Sequence, residues 1–257
     1  MSIELSISGH VATVTINRPA RHNAIDQEHH SQLAEAWDTI EADPAIWVAV
    51  LTGAGQRSFC AGADIHEPQP DGEQYWTRRD PDGFGGLALR TSIAKPIIAR
   101  VNGYALGGGF EMVLGSDLAI AAEHAQVGLV EPRIGRLAID GGIANAIRHI
   151  SRKHAMELLL TGRRYTADEA QAMGLINEVV PATQLDEAVE RWVDMLLECA
   201  PSSLAAIKAF VNQTQHLTAR EANRVAVPEV LRQMTSADAA EGPAAFREKR
   251  RPQWSGA

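Results

Sequence analysis

Residues 46–51 (IWVAVL), 97–101 (IIARV) and 118–121 (LAIA) are short, nearly unbroken apolar runs rich in β-branched side chains. A strand with one face in water alternates apolar and polar residues, whereas a strand buried on both faces has no need to. Runs this short fall below the usual length of a buried helix, so they read as central strands of a covered sheet. Covering both faces takes helices, and helix signals lie around the runs. Asp26 stands where a cap would, ahead of Leu33, Ala36, Trp37 and Ile40, which are spaced along one helix face. Strands alternating with helices predict an α/β fold with largely parallel pairing.

The chain opens on an alternation, Ile3, Leu5 and Ile7, then a turn at Ser8-Gly9-His10 and a second β pattern over 11–16, which together predict a hairpin. After about residue 140 the strand signal nearly vanishes. Helices are predicted at 141–149 and 152–161, and again after the capping box Thr166-x-x-Glu169, with Gly174 as a stop. One short strand is predicted within 175–180. Leu185, Val189, Trp192, Val193 and Leu196 then mark an amphipathic helix, and Pro201 and Pro228 punctuate further helical stretches. This divides the chain into a core, 1–195, and a helical appendage, 196–257, that packs on another subunit or folds back on the core. Segment 69–86 is dense in Pro, Gly and Asp and reads as a mobile loop or short helix, the usual place for a substrate lid.

The 257 residues carry 24 Lys+Arg and 32 Asp+Glu, a net charge of −8. Such a surface repels phosphate backbones, so neither nucleic acid nor an anionic membrane is expected as a partner, and a small anionic ligand needs local positive groups. Cys60 and Cys199 are too far apart in sequence to form a metal-type cluster. The first residues alternate as a strand does, unlike a signal sequence, and no run approaches the ~18 apolar residues of a membrane span. The expectation is a cytoplasmic protein without a metal.

Chemistry concentrates in three segments. LTGAGQRSFCAGAD (51–64) runs from a strand into a glycine-rich loop whose small residues let a ligand approach backbone N–H groups, though it matches neither a Walker loop nor a dinucleotide fingerprint. VNGYALGGGFEM (101–112) places Gly107, Gly108 and Gly109 at the start of an apolar helix, where unpaired N–H groups stabilise a developing oxyanion. Glu111 falls in that first turn among apolar neighbours, which should raise its pKa. Glu131 ends an apolar run just before Pro132, at a strand end where ligands collect in α/β folds. Each carboxylate alone reads equally as a helix-dipole partner or a surface group. As a pair near donor N–H groups, one serves as base and the other as acid, as adding or removing water requires. His22, His29 and His30 lack metal-ligand spacing.

Taken together, Asn17-Arg18-Pro19 with Asn23-Ala24, LTGAGQRSFCAGAD, VNGYALGGGFE and Glu131 stand in an order and spacing similar to the crotonase superfamily of enoyl-CoA hydratases and isomerases, over nearly the whole chain. The Gly-Gly-Gly-Phe-Glu run, the loop 82–86 and the tail 241–250 look most like the carnitinyl-CoA dehydratase (crotonobetainyl-CoA hydratase) branch. The resemblance implies a core of repeated ββα units wound as a spiral sheet, a C-terminal helical region that builds a homotrimer or dimer of trimers, and an acyl-CoA thioester substrate with no further cofactor. It implies an oxyanion hole from the N–H groups of Ala61 and Gly108. Contacts to the CoA ester fall on Ala24, Ala61, Gly62, Ala63, Asp64, Ile65 and Gly107, and the catalytic glutamates are Glu111 and Glu131. That pair favours reversible hydration of an enoyl-CoA. Double-bond isomerisation, C–C bond hydrolysis and a non-catalytic RNA-binding scaffold are the alternatives.

One stretch departs from the family. Where its hydratases run Pro-Gly-Ala-Gly-Gly, this chain has Ala138-Ile139-Asp140-Gly141-Gly142. Asp140 is either a cap for the helix opening at Gly141, or a polar element of the acyl pocket that binds a polar or cationic group or acts as a third acid/base. Arg18, Arg57, Lys249 and Arg250 are the basic groups expected to help hold CoA.

Overall fold

The computed structural model of the chain describes residues 2–67 and 72–256. β1 (Ile3–Ser8) and β2 (Val11–Ile16) form the antiparallel hairpin, turning on Gly9 at a left-handed φ of 56°. α1 (Gln27–Ala42) begins where Asp26 accepts the His29 N–H at 3.0 Å, and it buries Leu33, Ala36, Trp37 and Ile40. β3 (Val48–Gly53) starts two residues later than the apolar run suggests. The N–H groups of Trp47 and Val48 both go to the His10 carbonyl, and parallel pairing with β2 begins only at Val11↔Val48.

From β3 onward the chain alternates between two sheets. β3 is followed by β4 (Ser58–Cys60) and the short α2 (Gly72–Arg78); β5 (Ile97–Val101) is followed by β6 (Tyr104–Leu106) and α3 (Gly108–Gly115); β7 (Leu118–Ala122) is followed by β8 (Gln126–Gly128). α4 (Gly142–His149), α5 (Arg152–Thr161), β9 (Tyr165–Thr166), α6 (Ala167–Ala172) and β10 (Glu178–Val180) come next. The larger sheet has the order β1-β2-β3-β5-β7-β10 and is parallel from β2 on; the smaller has the order β4-β6-β8-β9. Successive ββ units thus wind between two sheets, as a spiral of repeated units should.

The larger sheet is covered on both faces, which is why its central strands are apolar throughout. Val14, Ala49, Leu51, Ile97, Ala99 and Ala121 join the main core with α1 and α3. Val48, Val50, Ile98 and Ile120 point the other way, under Leu185, Val189 and Val193 of α7 (Leu185–Leu197). Gly53, at the end of β3, has no room for a side chain: a Cβ there would sit 2.2 Å from the Phe59 carbonyl oxygen.

α8 (Pro201–Thr214), α9 (Ala219–Ala222), α10 (Pro228–Met234) and α11 (Ala237–Glu248) complete the chain, with Pro201 and Pro228 each in a first helical turn, where the missing N–H costs nothing. Lys208 of α8 ties this region to the starts of β5 and β7 through Asp117 at 2.7 Å and the Lys95 carbonyl at 2.8 Å. Among the described residues no helix is long and apolar enough to cross a membrane. Within the segment read as a lid, Gln69, Pro70 and Asp71 lie outside the described residues; the rest forms α2, a loop and a 3₁₀ turn, Phe84–Gly86.

Candidate active site

The glycine-rich loop after β4 runs alongside Ile25, which donates its N–H to the Gly62 carbonyl and accepts from Asp64, both at 2.9 Å. Gly62 has a φ of 94°, and a Cβ there would lie 2.9 Å from the Leu106 carbonyl oxygen and 3.2 Å from the Gly108 nitrogen. The loop therefore presses against the first turn of α3, which only glycine permits. Upstream, the turn 53–58 is gripped by two buried amides. Asn23 donates to the carbonyls of Ala54 (3.1 Å) and Ser58 (2.7 Å), and Asn102 donates to those of Gly53 (2.8 Å) and Gly55 (2.7 Å). Sequence reasoning treated both asparagines as motif letters; their signal was a polar amide beside apolar strands.

Ala61, expected to offer a free N–H, does not: it already donates to the His22 carbonyl at 3.1 Å. The Gly107 N–H is likewise taken, by the Gly128 carbonyl at 2.9 Å. Among the described residues, the N–H groups of Ala63 and Gly108 meet no acceptor, and the contact of Gly62 with Gly108 brings them to one place.

Glu111, in the first turn of α3, is 2% exposed. Its Oε1 accepts the Gly142 N–H at 2.8 Å, and the Asp140 backbone N–H also bonds to its carboxylate. Burial, reinforced by the charge of Glu131, pushes its pKa up to about 7 against these lowering hydrogen bonds. Glu131 opens the 3₁₀ turn Glu131–Ile134 after β8, and a Cβ on Gly107 would lie 3.1 Å from its Oε1. Its Oε2 is buried with no hydrogen-bond partner, and burial raises its pKa as well. The two carboxylates and the two open N–H groups thus converge around Gly107 and Gly108.

Asp140 does not cap α4. Gly141 occupies the cap position, with no side-chain cap bond, and the Asp140 carboxylate instead accepts the hydroxyl of Tyr75 from α2. Its carbonyl accepts the Phe84 N–H at 2.9 Å, and the Phe84 ring lies over Gly108. Between α2 and the turn at 139–140 lies a cavity of about 340 Å³ whose walls include Trp76, Arg79, Asp80, Leu89, Ile139 and Asp140. The segment read as a lid therefore walls a cavity beside Glu111.

The basic groups are placed differently from expectation. Arg18 faces inward, bonded to the Ala24 carbonyl (2.5 Å), Asp26 (3.1 Å) and Asp64 (3.3 Å), so it and Asp64 brace the loop. Arg57 precedes β4, at the opposite end of that strand from 61–64, and Arg250 is paired with Glu241 and Glu248. Lys249 holds the left-handed C-cap of α11. Ala24 is buried, whereas Ile65, 75% exposed, offers an apolar surface just beyond the loop.

Both the sequence and the fold have relatives among known proteins. Residues 6–257 match the family described as enoyl-CoA hydratase/isomerase. The chain is 37% identical over 259 residues to the carnitinyl-CoA dehydratase of Proteus mirabilis (strain HI4320), covering 99% of this chain and 98% of that protein. Among solved structures, the enoyl-CoA hydratase of Bacillus anthracis superposes with a TM-score of 0.91 at 29% identity over 100% of both chains. That of Mycobacterium tuberculosis H37Rv gives 0.88 at 31% identity, over 100% of this chain and 99% of that one.

Proposed function

The chain belongs to the enoyl-CoA hydratase/isomerase family, and from that premise we propose that it is a hydro-lyase acting reversibly on an acyl-CoA thioester. The observation that carries this reading is the convergence of two buried carboxylates, Glu111 and Glu131, on the open N–H groups of the Gly62–Gly108 contact. Isomerisation needs one base that returns its proton; addition of water across a double bond draws on two groups, one on each carbon.

In this mechanism the thioester oxygen sits between the N–H groups of Ala63 and Gly108, with Ala63 replacing Ala61 because the latter is already bonded. Two such donors aimed at a developing enolate oxygen contribute about 3 kcal/mol each. Glu111, with a pKa near neutrality, takes a proton from water as it attacks the β-carbon, and Glu131 delivers a proton to the α-carbon. In the dehydrating direction the roles reverse. Ile65 and the backbone of 61–64 line the CoA moiety, with Ala24 behind them, and the reaction calls on no metal or redox group. Exposed apolar side chains on α8 and α10, Ile207, Val211, Leu231 and Met234, support burial against another copy in a homotrimer or dimer of trimers. A cytoplasmic location fits the acidic composition.

Hydration of crotonyl-CoA, followed by loss of enoyl absorbance, tests the reading. Glu131→Gln is expected to keep CoA-ester binding while turnover falls by about 10²–10⁴; unchanged turnover sinks the assignment.

A further inference from the structure

Resting on the reading of Glu111 and Gly108 as working groups, we infer that His30, assisted by Trp37, is a positioning residue for the reaction. From α1 the two side chains clamp Gly85, and through it they set Phe84, Gly108 and the Glu111 carboxylate relative to one another. Both lie outside the three segments in which the chemistry concentrates.

The clamp answers to a backbone that cannot satisfy itself. Gly85 is buried with a left-handed φ of 66°, which interrupts the turn Phe84–Gly86. Among the described residues neither its N–H nor its carbonyl bonds to other backbone. Both go to α1 instead: the N–H donates to His30 Nδ1 at 3.2 Å, and the carbonyl accepts the Trp37 indole N–H at 3.0 Å. His30 and Trp37 stand about two turns apart on one face of the helix, which lets them grip both ends of one residue. Buried backbone groups with one partner each are costly to release. His30 is committed further, since its Nε2 donates to Asp80 at 2.7 Å and Asp80 accepts the Asp82 N–H at 2.8 Å. One imidazole thus holds the loop at its start and at its middle. Accepting an N–H requires a bare Nδ1, so the ring proton sits on Nε2.

What the clamp holds meets the site in three places. Gly85 lies against Met112, the residue after Glu111, and a Cβ on Gly85 would collide with the Met112 sulfur. Phe84, one residue back, lays its ring over Gly108. The Phe84 N–H is fixed to the Asp140 carbonyl at 2.9 Å, and the Asp140 N–H bonds to the Glu111 carboxylate. A shift of Gly85 therefore reaches the oxyanion donor and the base together. Misplacing such groups by about 1 Å can cost about 10²-fold in rate.

Amide isosteres separate the two bonds of the imidazole. In His30→Asn the side-chain oxygen takes the place of Nδ1 and keeps an acceptor for Gly85. In His30→Gln the side-chain nitrogen takes the place of Nε2 and keeps a donor for Asp80. In crotonyl-CoA hydration by the full-length protein, His30→Gln and His30→Ala are expected to lower kcat at least about tenfold while KM stays within about threefold. His30→Asn recovers most of that loss. Trp37→Phe, which removes the indole donor, lowers kcat about threefold or more. Amide hydrogen exchange of peptides spanning 80–90 reads the clamp without turnover: exchange is expected to quicken about tenfold in His30→Gln and to stay near that of the unaltered protein in His30→Asn. Unchanged kcat or unchanged exchange in His30→Gln overturns the inference. So does His30→Asn falling as far as His30→Gln, which would reduce the imidazole to packing. An unaltered protein that turns over no enoyl-CoA sinks the hydratase reading, and the exchange contrast then decides the clamp by itself; turnover untouched in His30→Gln sinks only the clamp.

Discussion

The Gly142 N–H donates to Glu111 Oε1 at 2.8 Å, so the residue that opens α4 orients the acid of α3. Gly142 is held there because nothing larger fits. A Cβ would lie 2.7 Å from that of Ala138 and 3.0 Å from both methyls of Leu129. Gly142→Ala should shift the turn, misplace the Glu111 carboxylate, and cost about 1–3 kcal/mol through overpacking. We expect crotonyl-CoA hydration to fall at least about tenfold, since small displacements of a catalytic group are expensive. A urea midpoint and a turnover rate on the same variant check both parts, and intact turnover would falsify the positioning role.

The raised pKa of Glu111 makes stability depend on pH in a stated direction. Its folded value, about 7, exceeds the reference of 4.5, so between these limits the folded state binds more protons than the unfolded one. Stability from this group is therefore lost as pH climbs from about 4.5 to about 7 and is flat above. Glu111→Gln removes that loss. At pH 8 the variant should be more stable than the unaltered protein by up to about 3 kcal/mol, with little difference at pH 4.5. Melting curves at the two pH values show this as a gap that opens with pH, at about 2–4 °C per kcal/mol. Its hydration rate should fall by about 10²–10⁴. In the unaltered enzyme kcat/KM should rise through pH about 7 if Glu111 is the base, as proposed, since only its ionised form accepts a proton.

Local patterns in the sequence predict local structure well here. Asp26 and the stripe Leu33, Ala36, Trp37 and Ile40 specify α1 within one segment, and the apolar runs specify strands covered on both faces. What depends on distant partners is harder to read. Strands of three residues, such as Ser58–Cys60 and Tyr104–Leu106, are too short for any period, so the division into two sheets is invisible until the chain is wound. Ala61 and Ala63 flank one glycine and look alike as letters. Only the His22 carbonyl, 39 positions upstream of Ala61, decides which N–H is left open. Arg18 shows its charge but not that Asp26 and Asp64 close around it, and Asp140 shows its acidity but not Tyr75, 65 positions away.

Asn102 offers a test of the scaffold beneath the loop. Its amide nitrogen donates to the carbonyls of Gly53, Gly55 and Ser58, and its oxygen accepts the Gly53 N–H at 3.3 Å. Asn102→Ala leaves several buried backbone groups unpaired, each costing about 1–3 kcal/mol. Part of this cost is recovered if water enters, so a loss of about 2–4 kcal/mol is expected. The turn 53–58 leads through β4 to Ala63, so KM for the CoA ester should rise along with the drop in melting temperature. A variant that melts earlier but binds CoA esters normally would confine Asn102 to folding.

Gly108 and Phe84 can be tested as a pair. A Cβ on Gly108 would fall 2.5 Å from two ring carbons of Phe84, the residue whose N–H is fixed to the Asp140 carbonyl. The ring must move if Gly108 is enlarged, yet its backbone cannot easily follow. Gly108→Ala should therefore lower stability and also turn the N–H proposed to face the thioester oxygen, with turnover falling by up to about 10²–10³, the effect of losing one oxyanion donor. Phe84→Leu removes the clashing ring. If the clash is the cause, the double variant recovers part of the stability and rate lost by Gly108→Ala alone, with a coupling of about 0.5–3 kcal/mol between the two sites. Strict additivity would show that the methyl acts through the α3 backbone itself, independently of the ring above it.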